Sequence, residues 1–475
     1  MEPPNILLIV TEQHRGDCLG VEGHPVLQTP NMDAIARNGV RFRRFYSACP
    51  TCISARRSIL SGQLPQTHGM VGYQGSVEWD APTLPQALRD HGYQTAWMGR
   101  SMHQHPVRKR YGYEEMEIHT SPPNSDYYIW LKEHAPADSG EVFGGGVMHN
   151  DCTVRPWHLD DYLHHTNWTV ERSLNFLRRR DPARPFFLTM SFLAAHPPLQ
   201  PPTFYYERYL RTGVPDRLIG DWDAPPPPDK AGVSAHSMDL NGEELLEARA
   251  AYYGLISHVD DQLRRVINPV TGLSHGRDTI IVFTSDHGEL LGDHYRWAKG
   301  QPLEGAARIP FLLSAPACYE LQTGAALDAV GTHADIMPTL LDMVDVPVPE
   351  TVDGCSLLPL MQGKTTDPVR PYLHIEHAGY DQGLTDGVWK YAWNPSDGRE
   401  LLFHLGKDPG ELHNLAQDPA EGEELSRWRS CLIEQLKDRP EGYVRNGDLV
   451  VGQKPRSLLP HGGAATGGFV RQKWQ

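Results

Sequence analysis

Short apolar runs recur along the chain, each bounded by polar or turn-forming residues. Asn5–Val10 (NILLIV) is long enough for a strand and too short for a helix, which predicts a buried strand. Thr29-Pro30 opens a helix, with Thr as N-cap and Pro in the first turn, and Gly39 closes it. Val40–Phe45 alternates and predicts a strand. Thr83 begins a second helix that ends near Gly92, and Gln94–Met98 follows as a strand. A helix over Thr166–Arg179 leads into the apolar strand Phe186–Phe192. A long helix over Glu243–Ile267 precedes Thr279–Thr284, a β-branched run of the kind buried in parallel sheets. This alternation predicts an α/β fold, a large mixed but mostly parallel sheet sandwiched by helices.

After residue 370 the texture changes. Val388–Trp393 and Leu401–Leu405 read as antiparallel strands around a turn at Pro395–Gly398, and a helix over Ala420–Lys437 is stopped by Pro440. The expected division is a large α/β domain over residues 1–370 and a smaller C-terminal α+β domain over 371–475. Pro225–Pro228 marks a loop. The tail Val444–Gln475 is Gly-rich and basic, and it is expected to be a loop or an arm that reaches a neighbouring subunit.

Composition narrows the class. Hydrophobic residues make up 39% and charged residues 22%, as in ordinary globular proteins. A net charge of -15 argues against a nucleic-acid partner, because phosphate backbones need a basic surface. It leaves room for small anionic substrates in a local basic pocket. No apolar stretch is long enough to span a membrane. The opening MEPPNILLIV lacks a basic n-region, and seven scattered cysteines suit a reducing compartment, so a cytoplasmic location is expected.

In α/β sheets, ligands gather at the carboxyl ends of strands. Glu12-Gln13, Asp286-His287 and His196 all follow predicted strands. Together they supply oxygen and nitrogen donors for one divalent cation. Carboxylate and amide oxygens suit Ca²⁺ or Mg²⁺, and imidazole leans towards Mn²⁺ or Zn²⁺. Cys52 stands just before a short helix that Gly62 ends, with Arg56 one turn on. A helix N-terminus favours anions and lowers a thiol's pKa. The plainer reading is a buried cysteine beside a surface arginine. His164 and His165 begin a helix and read as surface or pocket residues. Glu376 and His377 follow a predicted strand and read equally as specificity or structural residues.

The segment Cys52–Gly62 (CISARRSILSG) resembles the sulfatase signature C-x-P-S-R-x-x-L-x-T-G. Thr29–Phe42, Ser285–Gly300, Val352–Met361 and Leu402–Ala416 are similar to further motifs of the same family, in the same order. The resemblance runs from residue 5 to about 437. It implies an alkaline-phosphatase-type α/β fold and hydrolysis of a sulfate monoester of a small substrate: a sulfated sugar, choline sulfate or an aryl sulfate. In that family the cysteine is oxidised by a formylglycine-generating maturation enzyme, and the aldehyde hydrate attacks sulfur.

Carried onto this chain, the resemblance makes Cys52 the precursor of the nucleophile. Glu12, Gln13, Asp286 and His287, with Cys52, become the metal set, for Ca²⁺ first and Mg²⁺ or Mn²⁺ next. Arg56, His103, His196 and Lys299 become catalytic, and Arg100 and His294 substrate-binding. Glu12 stands where the family usually has Asp, Ser54 where it has Pro or Ala, and Arg100 where it has Lys. Two alternatives remain: a phosphate or phosphonate monoester hydrolase on the same site, and a non-catalytic binding protein on the same scaffold.

Overall fold

Strand β1 (Asn5–Thr11) is buried along its whole length, at the centre of the main sheet. The computed structural model describes residues 2–74, 77–101, 105–136, 145–147, 153–227, 236–271 and 278–465. Along the chain come α1 (Pro30–Arg37), β2 (Val40–Phe42), α2 (Cys52–Ser61), α3 (Leu84–Asp90), β3 (Gln94–Arg100) and β4 (Glu115–His119). Then follow α4 (His165–Arg179), β5 (Phe186–Ser191), α5 (Gly242–Thr271), β6 (Thr279–Ser285), β7 (Phe311–Ser314), β8 (Ala326–Leu327) and α6 (Ile336–Met343). Among the described residues the sheet has eight strands in the order β8-β2-β7-β6-β1-β5-β3-β4. The run from β6 to β4 is parallel, and β7 is antiparallel to both of its neighbours. The fold is α/β, as the alternation of apolar runs predicts.

The two-residue repeat of β1 explains the layering. Leu7 and Ile9 pack with α1, α4 and α5 on one face. Ile6, Leu8 and Val10 pack with α2, α3 and α6 on the other. A strand covered on both sides has no polar face, so NILLIV reads as a continuous apolar run rather than an alternation.

Several expected elements shift. The run Val40–Phe45 is broken, because pairing stops after Phe42 and resumes only at Phe45–Tyr46. Thr29 precedes α1, but its hydroxyl does not cap the helix: it accepts from the Gly20 N–H and donates to Asp33. Thr83 does cap α3, accepting from Gln86 N. Residues Pro225–Pro227 carry no helix or strand, and Pro228 lies outside the described residues.

In the C-terminal part, β9 (Leu373–Ile375), β10 (Gln382–Thr385), β11 (Trp389–Trp393) and β12 (Glu400–His404) form an antiparallel sheet. Helix α7 (Gly422–Leu436) covers it through Trp428, Leu432 and Leu436. Ala392, Leu401 and Phe403 meet Leu290, Leu303 and Ala306 of the main body. The tail up to residue 465 lies on its own chain. Leu458 packs with Ile53, Met70 and Val77, Arg57 donates to the Gly462 carbonyl, and Ala464–Ala465 pairs with Val77–Glu78. The tail is thus packed on its own chain as far as residue 465; residues 466–475 lie outside the described set.

Leu188 is fully buried on β5, paired with Leu7 on one side and Ala96 on the other. Leu188→Ala should cost about 2–5 kcal/mol in chemical denaturation. A loss below about 0.5 kcal/mol, the size of a surface substitution, would contradict this account of the core.

Candidate active site at the strand ends

Four neighbouring strands end together, and each delivers one side of a cluster. Glu12 and Gln13 follow β1, Arg100 ends β3, Ser191 ends β5, and Asp286 and His287 follow β6. Backbone bonds tie the turn after β5 to β1: Glu12 N donates to Ala194 O and Ala195 N to Glu12 O. That pairing brings His196 beside Glu12, with Nε2 3.9 Å from a carboxylate oxygen. Gln13 adopts a left-handed backbone, φ 64°, which is costly for a non-glycine residue. The turn is held by Gln13 N donating to Asp286 Oδ1 (3.0 Å) and by Tyr252 donating to the Gln13 carbonyl (2.7 Å).

Cys52 is the first residue of α2, beneath these strand ends. Its Sγ lies 3.3 Å from His287 Nε2 and 3.6 Å from Lys299 Nζ. Lys299 also donates to Gln13 Oε1 at 2.8 Å. Arg56, one turn along α2, is fully buried rather than on the surface. Its Nε bonds Asp286 Oδ2 (3.1 Å) and its Nη1 bonds Ser191 Oγ (2.9 Å). Arg100 Nε meets Glu12 Oε2 at 2.5 Å. Thus the Arg at position 100 and the longer acid at position 12 are direct partners.

The titrations follow from burial. Burial pushes the Cys52 thiol up to about 12, with Lys299 pulling the other way and Glu12 and Asp286 adding to the rise. This corrects the expectation that the helix N-terminus lowers it: desolvation of a thiolate outweighs the dipole. Burial also holds His287 down at about 4, against the opposing pull of Asp286. Its Nδ1–H donates to the Gly288 carbonyl at 2.9 Å, so the Nε2 lone pair faces Cys52. For Lys299, burial disfavours the charge, but Cys52, Glu12, Asp286 and Glu289 together outweigh it and raise the pKa.

The donor set suits a divalent cation. One ligand atom each from Glu12, Cys52 and His196, and again from Cys52, Asp286 and His287, lies within 4.8 Å of the others. Ligands at about 2.3–2.6 Å from one ion cannot sit farther apart than roughly twice that distance, so each group by itself is close enough to hold an ion, and the two share Cys52. Arg56 Nη2 is buried with no hydrogen-bond acceptor among the described residues.

Other expected residues fall elsewhere or outside. His103 lies outside the described residues. His294 bonds Asp223 (2.7 Å) and stacks on Trp222, and neither of these belongs to the cluster. Glu376 is buried in an ion pair with Arg439 (2.6 Å). His164 is buried and His165 half-buried, ring against ring with His258 and His119. The sequence reading missed Ser191, Tyr252, Glu289 and His333. Glu289 takes the Gln13 side-chain amide, and His333 donates to the Ser285 carbonyl at 2.8 Å. Glu289 sits in the Ser285–Gly300 segment and could have been noticed there. Ser191 is the last residue of an apolar strand whose only signal is position.

An α/β fold with a buried cluster of carboxylate, imidazole and thiol donors at its strand ends suits a hydrolase. Residues 4–346 match the family model "Sulfatase", and residues 292–438 match "N-sulphoglucosamine sulphohydrolase, C-terminal". The chain belongs to the sulfatase family and is a hydrolase. It is 37% identical to an arylsulfatase of Clostridium perfringens, over 96% of this chain and 99% of that one. It is 30% identical to a choline-sulfatase of Rhizobium meliloti, over 88% and 83% respectively. It is also similar in structure to a phosphonate monoester hydrolase of Agrobacterium radiobacter, with a TM-score of 0.76 and 25% identity over 91% of this chain and 95% of that one.

Two predictions follow from the buried charges. Arg100→Leu should destabilise the metal-free protein by about 3–5 kcal/mol, because the buried Glu12 loses the closer of its two guanidiniums and keeps only Arg56, at 3.7 Å. Adding Glu12→Leu should recover part of that loss, and additive losses in a denaturant cycle would refute the coupling. Separately, burial, reinforced by Arg57, holds His68 down at about 3. Its folded pKa is below the unfolded 6.5, so stability falls as pH drops from about 6.5 towards the folded value. Unfolding should therefore be easier at pH 5 than at pH 7. His68→Gln should narrow the gap by about 1–2 kcal/mol; an unchanged gap would remove His68 from the explanation.

Proposed function

We propose that the protein hydrolyses the sulfate monoester of a small organic alcohol or phenol, within the range sulfated sugar, choline sulfate or aryl sulfate. The observation that carries this is the position of Cys52, in contact with both His287 and Lys299 and common to both metal-capable groups. A thiol with a pKa near 12 is a poor nucleophile at neutral pH, which supports Cys52 as a precursor and not as the reacting thiolate. Formylglycine made from Cys52 and one divalent cation, Ca²⁺ first with Mg²⁺ or Mn²⁺ next, would supply an oxygen nucleophile and positive charge at the sulfate. Glu12, Gln13, Asp286 and His287 would hold the ion.

The chain's own residues do the rest. Lys299 and Arg100 offer fixed positive charge to the non-bridging sulfate oxygens. Arg56, pinned by Asp286 and Ser191 and with Nη2 3.7 Å from the Glu12 carboxylate, adds positive charge beside the sulfate. His196 is oriented by an Nδ1–H bond to the Pro197 carbonyl (2.6 Å), and with Nε2 3.9 Å from Glu12 it serves, once protonated to the imidazolium, as the acid for the leaving oxygen. Residues 1–370 carry the site in this reading, and 371–475 close one side of it, in a cytoplasmic protein. Among the described residues no helix is long and apolar enough to cross a membrane.

The likeness to a phosphonate monoester hydrolase favours one second reading, a phosphate or phosphonate monoesterase on the same residues. Membership of a hydrolase family sets the non-catalytic alternative aside.

The test starts from protein made with a formylglycine-generating enzyme. Mass spectrometry of the Cys52 peptide should show conversion of thiol to aldehyde despite Ser54. Matched nitrophenyl esters should then give kcat/KM highest for sulfate; a phosphonate preference would install the second reading. Lys299→Ala and His196→Ala should each lower kcat by about 10²–10⁴. Chelation should abolish turnover, and added Ca²⁺ or Mn²⁺ should restore it. An unconverted thiol with full activity would overturn the proposed nucleophile.

A further inference from the structure

Glu289 is a buried carboxylate that joins two segments of the site. Its Oε2 accepts from the Gln13 side-chain amide, after β1. Its Oε1 accepts from Leu291 N (2.9 Å) and from Ala298 N. Those two N–H groups stand at the two ends of a loop that leaves the body after Leu290 and returns at Ala298, where Leu290 N donates to Ala298 O (2.9 Å). Lys299 follows directly, and its Nζ donates to Gln13 Oε1 at 2.8 Å. One carboxylate therefore holds the amide of Gln13 and closes the loop that delivers Lys299 to the same amide.

The chemistry of these neighbours leaves Gln13 one orientation. An amide side chain accepts at its oxygen and donates at its nitrogen. An ionised carboxylate only accepts, so Glu289 takes the –NH₂ end; an ammonium only donates, so Lys299 takes the oxygen end. The backbone of Gln13 is fixed separately, by Asp286 and Tyr252, so rotation of the amide is the freedom that Glu289 removes. The oxygen is thereby turned to the side of Lys299, whose Nζ is 3.6 Å from Cys52 Sγ, the atom common to both metal-capable groups. A carbonyl oxygen has two lone pairs and can serve an ammonium and a metal ion together. The reversed amide would aim donor hydrogens at both.

We propose that Glu289 is a positioning residue of the metal centre, which fixes the amide of Gln13 with Oε1 towards the cation and keeps that oxygen in register with Lys299. This rests on the sulfatase reading above, in which Gln13 is one of the ligands, and adds to it the group that orients that ligand. The consequence is specific. In Glu289→Gln the introduced amide keeps its oxygen on Leu291 N and Ala298 N and turns its –NH₂ to Gln13. Two –NH₂ groups cannot face each other, so Gln13 rotates and brings its own –NH₂ round to the cation. The volume is unchanged and only the direction of one hydrogen bond is reversed. Adding Gln13→Glu restores that direction: the introduced carboxylate accepts from the introduced amide and offers its other oxygen to the cation and to Lys299.

The experiment titrates Ca²⁺ and, separately, Mn²⁺ into metal-stripped, converted protein by calorimetry, with the cation-induced rise in Tm as a second readout. Glu289→Gln should weaken cation binding by about 10–100-fold, the usual effect of losing a group that orients a metal ligand. The double variant Glu289→Gln/Gln13→Glu should recover most of that loss, which a mere packing role would not produce. A Kd unchanged in Glu289→Gln, or a double variant that binds no more tightly than the single one, overturns the positioning role and leaves the metal set standing. If Glu289→Gln does not fold, the double variant decides: uptake of the cation supports the proposal and failure to take it up overturns it. No uptake of Ca²⁺, Mg²⁺ or Mn²⁺ by the unsubstituted protein overturns the ligand set itself, and the role of Glu289 with it.

Discussion

The carboxylate of Asp286 is the tie on which the site depends. It is fully buried, and a buried charge must be paired or neutralised. Its oxygens accept from Gln13 N after β1, from His287 N beside it, and from Arg56 on α2. Three separate stretches of chain are therefore held at one point by one anion. The same constraint places Glu12, which satisfies its charge with Arg100 from β3. The network is expensive to break and sets the positions of the groups around it.

This network also decides what Cys52 can be. Oriented positive charge surrounds it, from Lys299 close by and from Arg56 and Arg100 on the neighbouring carboxylates. Such charge would ordinarily favour a thiolate, yet desolvation dominates and the thiol stays protonated. The arrangement fits an anion brought in from solvent better than an anion generated on sulfur. The neutral His287, with its Nδ1–H fixed on Gly288, presents a lone pair where a cation would want one. Gly288 itself has a backbone reason: a Cβ there would lie 2.1 Å from the Gly305 carbonyl oxygen. The Glu304–Ala307 helix, whose Ala306 and Gly305 carbonyls accept from Gly288 N and Glu289 N, can approach only because that side chain is missing.

The C-terminal sheet supports the site indirectly. Its apolar face rests on Leu290, Leu303 and Ala306, in the segment that leads from Asp286 past Lys299. Lys390 adds a buried pair of contacts to Glu304 (2.7 Å) and Glu411 (2.9 Å), which fixes that sheet against the start of the Glu304–Ala307 helix.

The order of apolar runs determined the fold class, because a strand buried on both faces must be continuously apolar and the helices between must cover them. It also located Glu12, Gln13, Asp286, His287 and His196, since residues just past strand ends are placed by the strands themselves. Motif resemblance then attached chemistry to Cys52, Arg56 and Lys299. Only the tertiary structure decided the rest. Whether Thr29 capped its helix depended on Asp33 and Gly20, which offered its hydroxyl other partners. The protonation of Cys52 depended on how much water the neighbours excluded, a property no local spacing encodes. The pairing of Glu12 with Arg100 and the separation of His294 into a contact with Asp223 and Trp222 were likewise matters of approach. Local sequence sets periodicity and turn chemistry; burial and charge pairing arise between segments hundreds of residues apart, and they exist only once the chain has packed.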